Sequence, residues 1–221
     1  MHNKRFITFE GGEGAGKSTQ IRLLALRLRE IAREVVVTRE PGGTPLAEKL
    51  RAFILAGKAR ELGALGEAVL FSAARIDHID HLIRPALARG AIVLCDRFAD
   101  STRAYQGVKG SVAPGQLAAL EKVTLAGLTP NLTFILDLPP QIGLERANRR
   151  RGGDEADRFE GEALDFHTQL RARYLEIAEA EPQRCQVIDA ARPADIVADS
   201  IWSAFSAQQG FASGAGLKRW A

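Results

Sequence analysis

Short, almost wholly apolar runs alternate along the chain with longer stretches in which apolar residues recur every three or four positions. The short runs are Phe6–Glu10, Val35–Thr38, Ile92–Cys95, Leu132–Leu136 and Gln186–Ile188. Runs this short and this apolar predict strands covered on both faces. Between them, Ile21, Leu24, Leu28 and Ile31 form one helical stripe. Ile76, Ile79, Ile83 and Leu87 form another, on a long helix from about Leu65 to Arg89. Strand–helix alternation of this kind predicts an α/β fold, a five-stranded parallel sheet flanked by helices in a three-layer sandwich. No repeat, low-complexity tract or linker divides the chain, so residues 1–205 are expected to form one domain. From Ser206 the sequence turns to Gly, Ala, Ser and Gln, which predicts a flexible tail over 206–221.

Composition narrows this picture only by exclusion. With 46% apolar and 26% charged residues among 221, the chain is ordinary for a globular protein and excludes disorder as its main state. No unbroken apolar run exceeds five residues, as in Ala91–Cys95, and a membrane-spanning helix needs roughly 20. Glu10 interrupts the apolar stretch after Phe6, so no signal peptide is expected. Two distant cysteines, Cys95 and Cys185, make neither a disulfide framework nor a four-ligand zinc site, and a reducing cytoplasm is the expectation. A net charge of +3 is too small to argue for nucleic acid.

The strongest chemical signal is Gly11-Gly12-Glu13-Gly14-Ala15-Gly16-Lys17-Ser18, which fits G-x-x-x-x-G-K-[ST] between a predicted strand and a predicted helix. Glycines let the backbone turn several N–H groups toward an anion, and the helix N-terminus adds partial positive charge. Lys17 suits the β- and γ-phosphates of a nucleotide, and Ser18 suits Mg²⁺. The strand Ile92–Cys95 runs into Asp96, an acid placed to meet the metal or a reacting group.

Four further segments each admit two readings. Thr38-Arg39-Glu40-Pro41-Gly42-Gly43-Thr44 is either a ligand-facing segment at the sheet's carboxyl edge or a Pro-Gly turn with solvated charges. Phe71 and Arg75 lie roughly 100° from the stripe of Val69, Ile76, Ile79 and Ile83. They either stack on and bond a base, or form a satellite contact beside a surface Arg. The segment from Asp96-Arg97-Phe98 through Gly107 holds dense polar side chains, suited to a second phosphate or to helix capping. Arg149-Arg150-Arg151-Gly152-Gly153-Asp154-Glu155 is a solvated loop or a lid that brings an arginine over a transferring phosphate. His2, His78, His81 and His167 show no metal-ligand spacing and are read as structural or surface residues.

Together these residues resemble the bacterial thymidylate kinases, P-loop NTPases of the nucleoside monophosphate kinase family. The resemblance runs from Phe6 to about Trp202 and rests on several motifs. They are F-E-G-x-E-G-A-G-K-S, T-R-E-P-G-G-T with L-A-E-K-L-R, L-F-S-A-A-R, D-R-F with S-T-x-A-Y-Q-G, the Arg-rich lid with D-R-F-E, and F-x-x-x-x-R-x-R-Y. It implies phosphorylation of dTMP to dTDP by ATP and Mg²⁺, a step of dTTP synthesis, in a cytoplasmic homodimer.

The resemblance also implies residue roles. Gly11, Gly12, Glu13, Gly14, Ala15, Gly16, Lys17, Ser18 and Thr19 would hold the donor, with Ser18 and Asp96 at the metal. Glu13 would lie near the acceptor sugar. Phe71 would stack on the base while Arg75, Thr102 and Gln106 bond it. Tyr105 would crowd the 2′ position, and Arg39, Arg51 and Arg97 would grip the acceptor phosphate. Lys17, Asp96, Arg97 and a lid arginine would be catalytic. The loop carries no arginine after Glu13, so this resembles the lid-arginine type, with a lid over about 147–158 and Arg151 as the expected donor of charge. The alternatives are a kinase for another deoxynucleoside monophosphate or a deoxynucleoside, and a nucleotide switch. The switch would need a guanine-reading N-K-x-D segment, and none occurs.

Overall fold

The computed structural model describes residues 5–31, 33–108, 112–152, 159 and 161–209, with backbone alone at 151 and 209. Five parallel strands form one sheet: β1 (Phe6–Glu10), β2 (Val35–Arg39), β3 (Ile92–Asp96), β4 (Leu132–Asp137) and β5 (Cys185–Asp189). Their order is β2-β3-β1-β4-β5. Each predicted strand is present and within one residue of its expected ends.

Alternation along the strands sorts side chains into two cores. Ile7 and Phe9 of β1, Ile92 and Leu94 of β3, and Leu132, Phe134 and Leu136 of β4 face one way. There they meet Ile21, Leu24 and Leu28 of α1 (Lys17–Glu30) and Val197, Ile201 and Phe205 of α9 (Ala194–Gln209). Phe6, Val93 and Cys95 face the other way, onto Ile79, Ile83 and Phe98. A third cluster on that face joins Ile135 to Phe166, Leu170 and Tyr174 of α8 (Leu164–Ala180). The three layers therefore follow from a period of two in the strands and 3.6 in the helices.

The remaining elements are α2 (Pro45–Leu55), a 3₁₀ turn (Lys58–Leu62), α3 (Gly63–His78), α4 (Arg84–Ala88), α5 (Ala99–Val108), α6 (Pro114–Leu125) and α7 (Pro140–Arg151). A π-helical segment, Ile79–Ile83, joins α3 to α4, so the expected long helix runs from 63 to 88. Its apolar stripe is not what was expected. Ile79 and Ile83 are buried, but Val69 and Ile76 are 47% and 41% exposed. The inward face of α3 instead carries Ala68, Ser72, Ala74, Arg75 and His78. Small residues let α3 come close, and its polar ones find partners in the strand-end loops. Ile31 is likewise exposed, as the cap of α1. The C-terminal helix continues to Gln209, so residues 206–209 are helical rather than part of a tail.

Candidate active site

Pairing register decides what stands at the carboxyl edge. Phe9 of β1 lies beside Asp96 of β3, so the glycine loop after β1 opens next to that acid. The connection out of β1 runs to β2 on one side and the connection out of its neighbour β3 runs to β4 on the other, which opens a crevice at the strand ends. The loop passes from β1 into α1, whose N-cap Gly16 adopts φ 86°, a left-handed turn that favours glycine. Gly14 packs on Gly143 of α7 so closely that a Cβ there would sit within 2.0 Å of the Gly143 carbonyl oxygen.

Lys17 is buried and curls back on the loop, donating to Gly11 O at 3.1 Å and Gly12 O at 2.9 Å. Burial lowers its pKa, and Arg97 adds to that. Ser18 Oγ donates to Asp96 Oδ2 at 2.7 Å. A hydroxyl beside a carboxylate is a hard-oxygen set that suits Mg²⁺, which takes most of its ligands from phosphate and water. No cluster of three or more His, Cys, Asp or Glu able to hold a metal occurs among the described residues.

The loop forms one wall of a cleft of about 480 Å³ that extends across to α2, α3 and α5. Its lining includes Glu13 to Thr19, then Arg39 and Arg51, Phe71 and Arg75, Asp96 and Arg97, and Thr102, Tyr105 and Gln106. Cations outnumber acids: Lys17, Arg39, Arg51, Arg75, Arg97 and Arg150 against Glu13, Glu40 and Asp96. Such a cleft suits a polyanion.

Arg97 is its electrostatic centre. Its φ of 68° is left-handed, unusual for a residue with a Cβ, and its backbone N–H donates to Phe9 O at 2.9 Å. The guanidinium donates to Glu13 Oε1 at 2.6 Å, to Gly11 O at 3.2 Å and to Tyr174 OH at 3.2 Å. It also lies 5.1 Å from the ring centre of Tyr105. Burial works to raise the Glu13 pKa, but Arg97, Lys17 and the Tyr105 hydroxyl outweigh it and hold the carboxyl at about 2. Tyr105 donates to Glu13 at 2.9 Å, and burial raises its own pKa well above the usual phenol range.

The far side of the cleft is built from α2, α3 and α5. Arg75 of α3 donates through Nη2 to Phe98 O and to Thr102 Oγ1, and lies over the Phe98 ring at 5.3 Å. Phe71 stands half-buried one turn away, with Phe159 at 6.3 Å between ring centres. Arg51 Nη1 donates to Pro41 O at 2.8 Å, and the exposed Arg39 pairs with Glu48. At the end of α7, Arg150 lines the cleft and Arg149 is exposed and paired with Glu145. The Arg151 side chain, with Asp154, Glu155, Asp157 and Arg158, falls outside the described residues.

The thymidylate kinase family model matches residues 9–201. That span covers every element from the end of β1 to α9. The chain belongs to the thymidylate kinase family. It is 59% identical over 201 residues to the thymidylate kinase of Rhodopseudomonas palustris (strain TIE-1), covering 90% of this chain and 87% of that one. To the thymidylate kinase of Bradyrhizobium diazoefficiens it is 58% identical over 200 residues, with 90% and 88% covered. The crystal structure of thymidylate kinase from Ehrlichia chaffeensis superposes with a TM-score of 0.73 at 34% identity, covering 90% of this chain and 97% of that one. As a thymidylate kinase the chain is a nucleotide-binding phosphotransferase. No helix among the described residues is long and apolar enough to cross a membrane.

Two buried residues behind this kinase's cleft had no specific role in the sequence reading. Glu10 is wholly buried and accepts from Phe98 N at 2.7 Å, Ser101 Oγ at 2.6 Å and Tyr174 OH at 3.3 Å. Burial pushes its pKa up to about 7, aided by the charge of Asp100. A strand-terminal acid gives no signal that its partners lie on α5 and α8. His78, for which the sequence allows a structural or a surface place, is structural: it is fully buried against Glu40 and Thr38.

Proposed function

We propose that this kinase transfers the γ-phosphoryl group of ATP to the phosphate of dTMP, releasing dTDP and ADP. The single observation that carries the residue roles is that one cleft joins the phosphate loop to Phe71, Arg75 and Arg97. The loop amides, Lys17 and the N-terminus of α1 bind the donor phosphates. Ser18 and Asp96 would hold Mg²⁺, which would supply positive charge against the donor phosphates. Arg97, with Arg39 and Arg51, turns the acceptor phosphate toward the donor. Phe71 stacks on the thymine while Arg75, Thr102 and Gln106 face its edge, and Tyr105 with Glu13 closes the space beside the sugar.

An acceptor phosphate oxygen then attacks the γ-phosphorus as the bond to the β-bridging oxygen breaks, and the electron pair leaves on ADP. The acceptor is already anionic at neutral pH, so the chain supplies no strong base. It supplies alignment and positive charge. A lid over 147–158 adds an arginine to the transferring group. Arg151 remains the assignment from the sequence, and the position of Arg150 in the cleft makes it the competitor.

The same reading takes the protein as a cytoplasmic homodimer. Leu62, Leu65, Val69 and Ile76 are exposed at spacings of three, four and seven, a single stripe along α3 and the turn before it. A second copy's α3 is the simplest cover for it.

A coupled ADP-release assay with ATP against dTMP, dUMP, dCMP, dGMP and thymidine tests the function. Turnover highest with dTMP and negligible with thymidine supports it. A preference for thymidine would refute the roles given to Arg51 and Arg97, since a nucleoside brings no phosphate.

A further inference from the structure

Thr38, Glu40 and His78 form a buried chain that ends on Arg75. The Glu40 carboxylate accepts from Arg75 Nε at 2.6 Å through one oxygen and meets His78 Nδ1 at 2.9 Å through the other. An ionised carboxylate only accepts, so Nδ1–H is the donor. His78 Nε2 lies 2.7 Å from Thr38 Oγ1. The ring has little freedom to turn: a Cβ on Gly43 would come within 2.6 Å of both His78 Nε2 and Thr38 Oγ1. His78 side-chain exposure is 0%, and that of Arg75 and Glu40 is 4% each.

This chain settles the orientation of one guanidinium. Arg75 Nε is committed to Glu40, and Nη2 to Phe98 O and Thr102 Oγ1. The guanidinium is planar and rigid, so fixing those two nitrogens fixes the direction of Nη1. Nη1 makes none of these bonds, and Arg75 lines the cleft. Packing alone does not call for this arrangement, because apolar residues of similar volume hold helices together at least as well as a buried ion pair.

We propose that Thr38, His78 and Glu40 are positioning residues that aim Arg75 Nη1 and thereby set which acceptor base the cleft takes. The inference rests on the reading of Arg75 as a base contact. An aimed N–H donor takes a pyrimidine that presents a carbonyl oxygen to it. It turns away one that presents an amino group, because two donors then face each other. A loosely held Arg75 loses part of both effects.

The test is a cycle of variants assayed by ADP release, with thermal unfolding recorded for each. His78→Leu is expected to raise the dTMP KM about 5- to 20-fold, the range for one misaligned hydrogen bond. The ATP KM stays unchanged, and the ratio of kcat/KM for dTMP over dCMP falls. His78→Asn, whose amide can stand where Nδ1 stood, should recover most of the loss. In an Arg75→Gln background, which keeps a neutral donor toward Glu40, His78→Leu should cost less than twofold. The same loss in both backgrounds would overturn the positioning role, as would wild-type dTMP kinetics in a folded His78→Leu protein. If His78→Leu does not fold, Thr38→Val decides. A two- to threefold shift in the same direction supports the chain, and wild-type kinetics and selectivity overturn it. A wild-type protein inactive on dTMP would overturn the functional reading and this inference together, whereas a background-independent loss in an active enzyme overturns this inference alone.

Discussion

Gly143→Ala adds one methyl group where α7 crosses the phosphate loop. Its Cβ would lie 2.3 Å from the Glu13 carbonyl oxygen and 3.5 Å from Leu138 Cδ2. A carbon and a carbonyl oxygen settle at about 3.3 Å or more, so roughly 1 Å must be found by moving either the loop or α7. Neither is a flexible side-chain end. The loop carries Lys17, and α7 ends in Arg149, Arg150 and Arg151. Alanine would by itself favour the helix by about 1 kcal/mol over glycine, while overpacking of this kind costs about 1–3 kcal/mol. Net destabilisation of up to ~2 kcal/mol is therefore expected, a modest fall in Tm. The effect on catalysis should be larger than that on stability. Phosphoryl transfer depends on alignment, and a displacement near 1 Å can cost about 100-fold in rate. Steady-state kinetics with ATP and dTMP beside a thermal melt would measure both. A variant with raised Tm and unchanged kcat would show that the contact relaxes freely and that the close packing of α7 on the loop does not set the alignment.

Four other predictions follow from the same geometry. Phe71→Ala should raise the dTMP KM by the equivalent of about 1–3 kcal/mol with the ATP KM unchanged; a large loss of stability with normal dTMP affinity would make Phe71 a core residue of the cluster it borders. Arg150→Ala and Arg151→Ala should be compared directly, and the catalytic one should lose roughly 100-fold or more in kcat with little change in either KM; near-normal turnover in the double variant would remove the lid from the mechanism. Glu10 takes up a proton near pH 7 in the folded chain, against 4.5 ordinarily, so between those values the folded state holds a proton that the unfolded state lacks and stability falls as pH rises. Glu10→Gln should lack that slope, and the stability difference between variant and wild type should shift in favour of the variant by up to ~2 kcal/mol from pH 5 to 7.5; a constant difference would place the Glu10 titration elsewhere. Val69→Glu, on the exposed stripe of α3, should convert a dimer to a monomer in sedimentation velocity, and a wild-type protein that sediments as a monomer would refute the proposed interface.

All five strands were legible in the sequence because strands buried on both faces leave unbroken apolar runs, and the phosphate loop was legible because its chemistry is local. The anion-site reading of Gly11 to Ser18 rests on consecutive residues at fixed spacing, so the sequence alone carries it. The motifs around Arg39, Phe71, Asp96 and Tyr105 were visible too, and the structure brings these residues to one cleft. Other features depended on where a second layer sits. Val69 and Ile76 have the spacing of a core stripe, yet α3 turns Arg75 and His78 inward, because Glu40, Phe98 and Thr102 offer them hydrogen bonds there. Glu10 and Tyr174 stand 164 positions apart, and Glu40 and His78 stand 38 apart, within hydrogen-bond reach of each other. Periodicity records which residues share a face of one element. What that face meets is decided by the crossover of β-strands and helices, and a buried acid or histidine shows its role only once the groups it is bonded to have been folded against it.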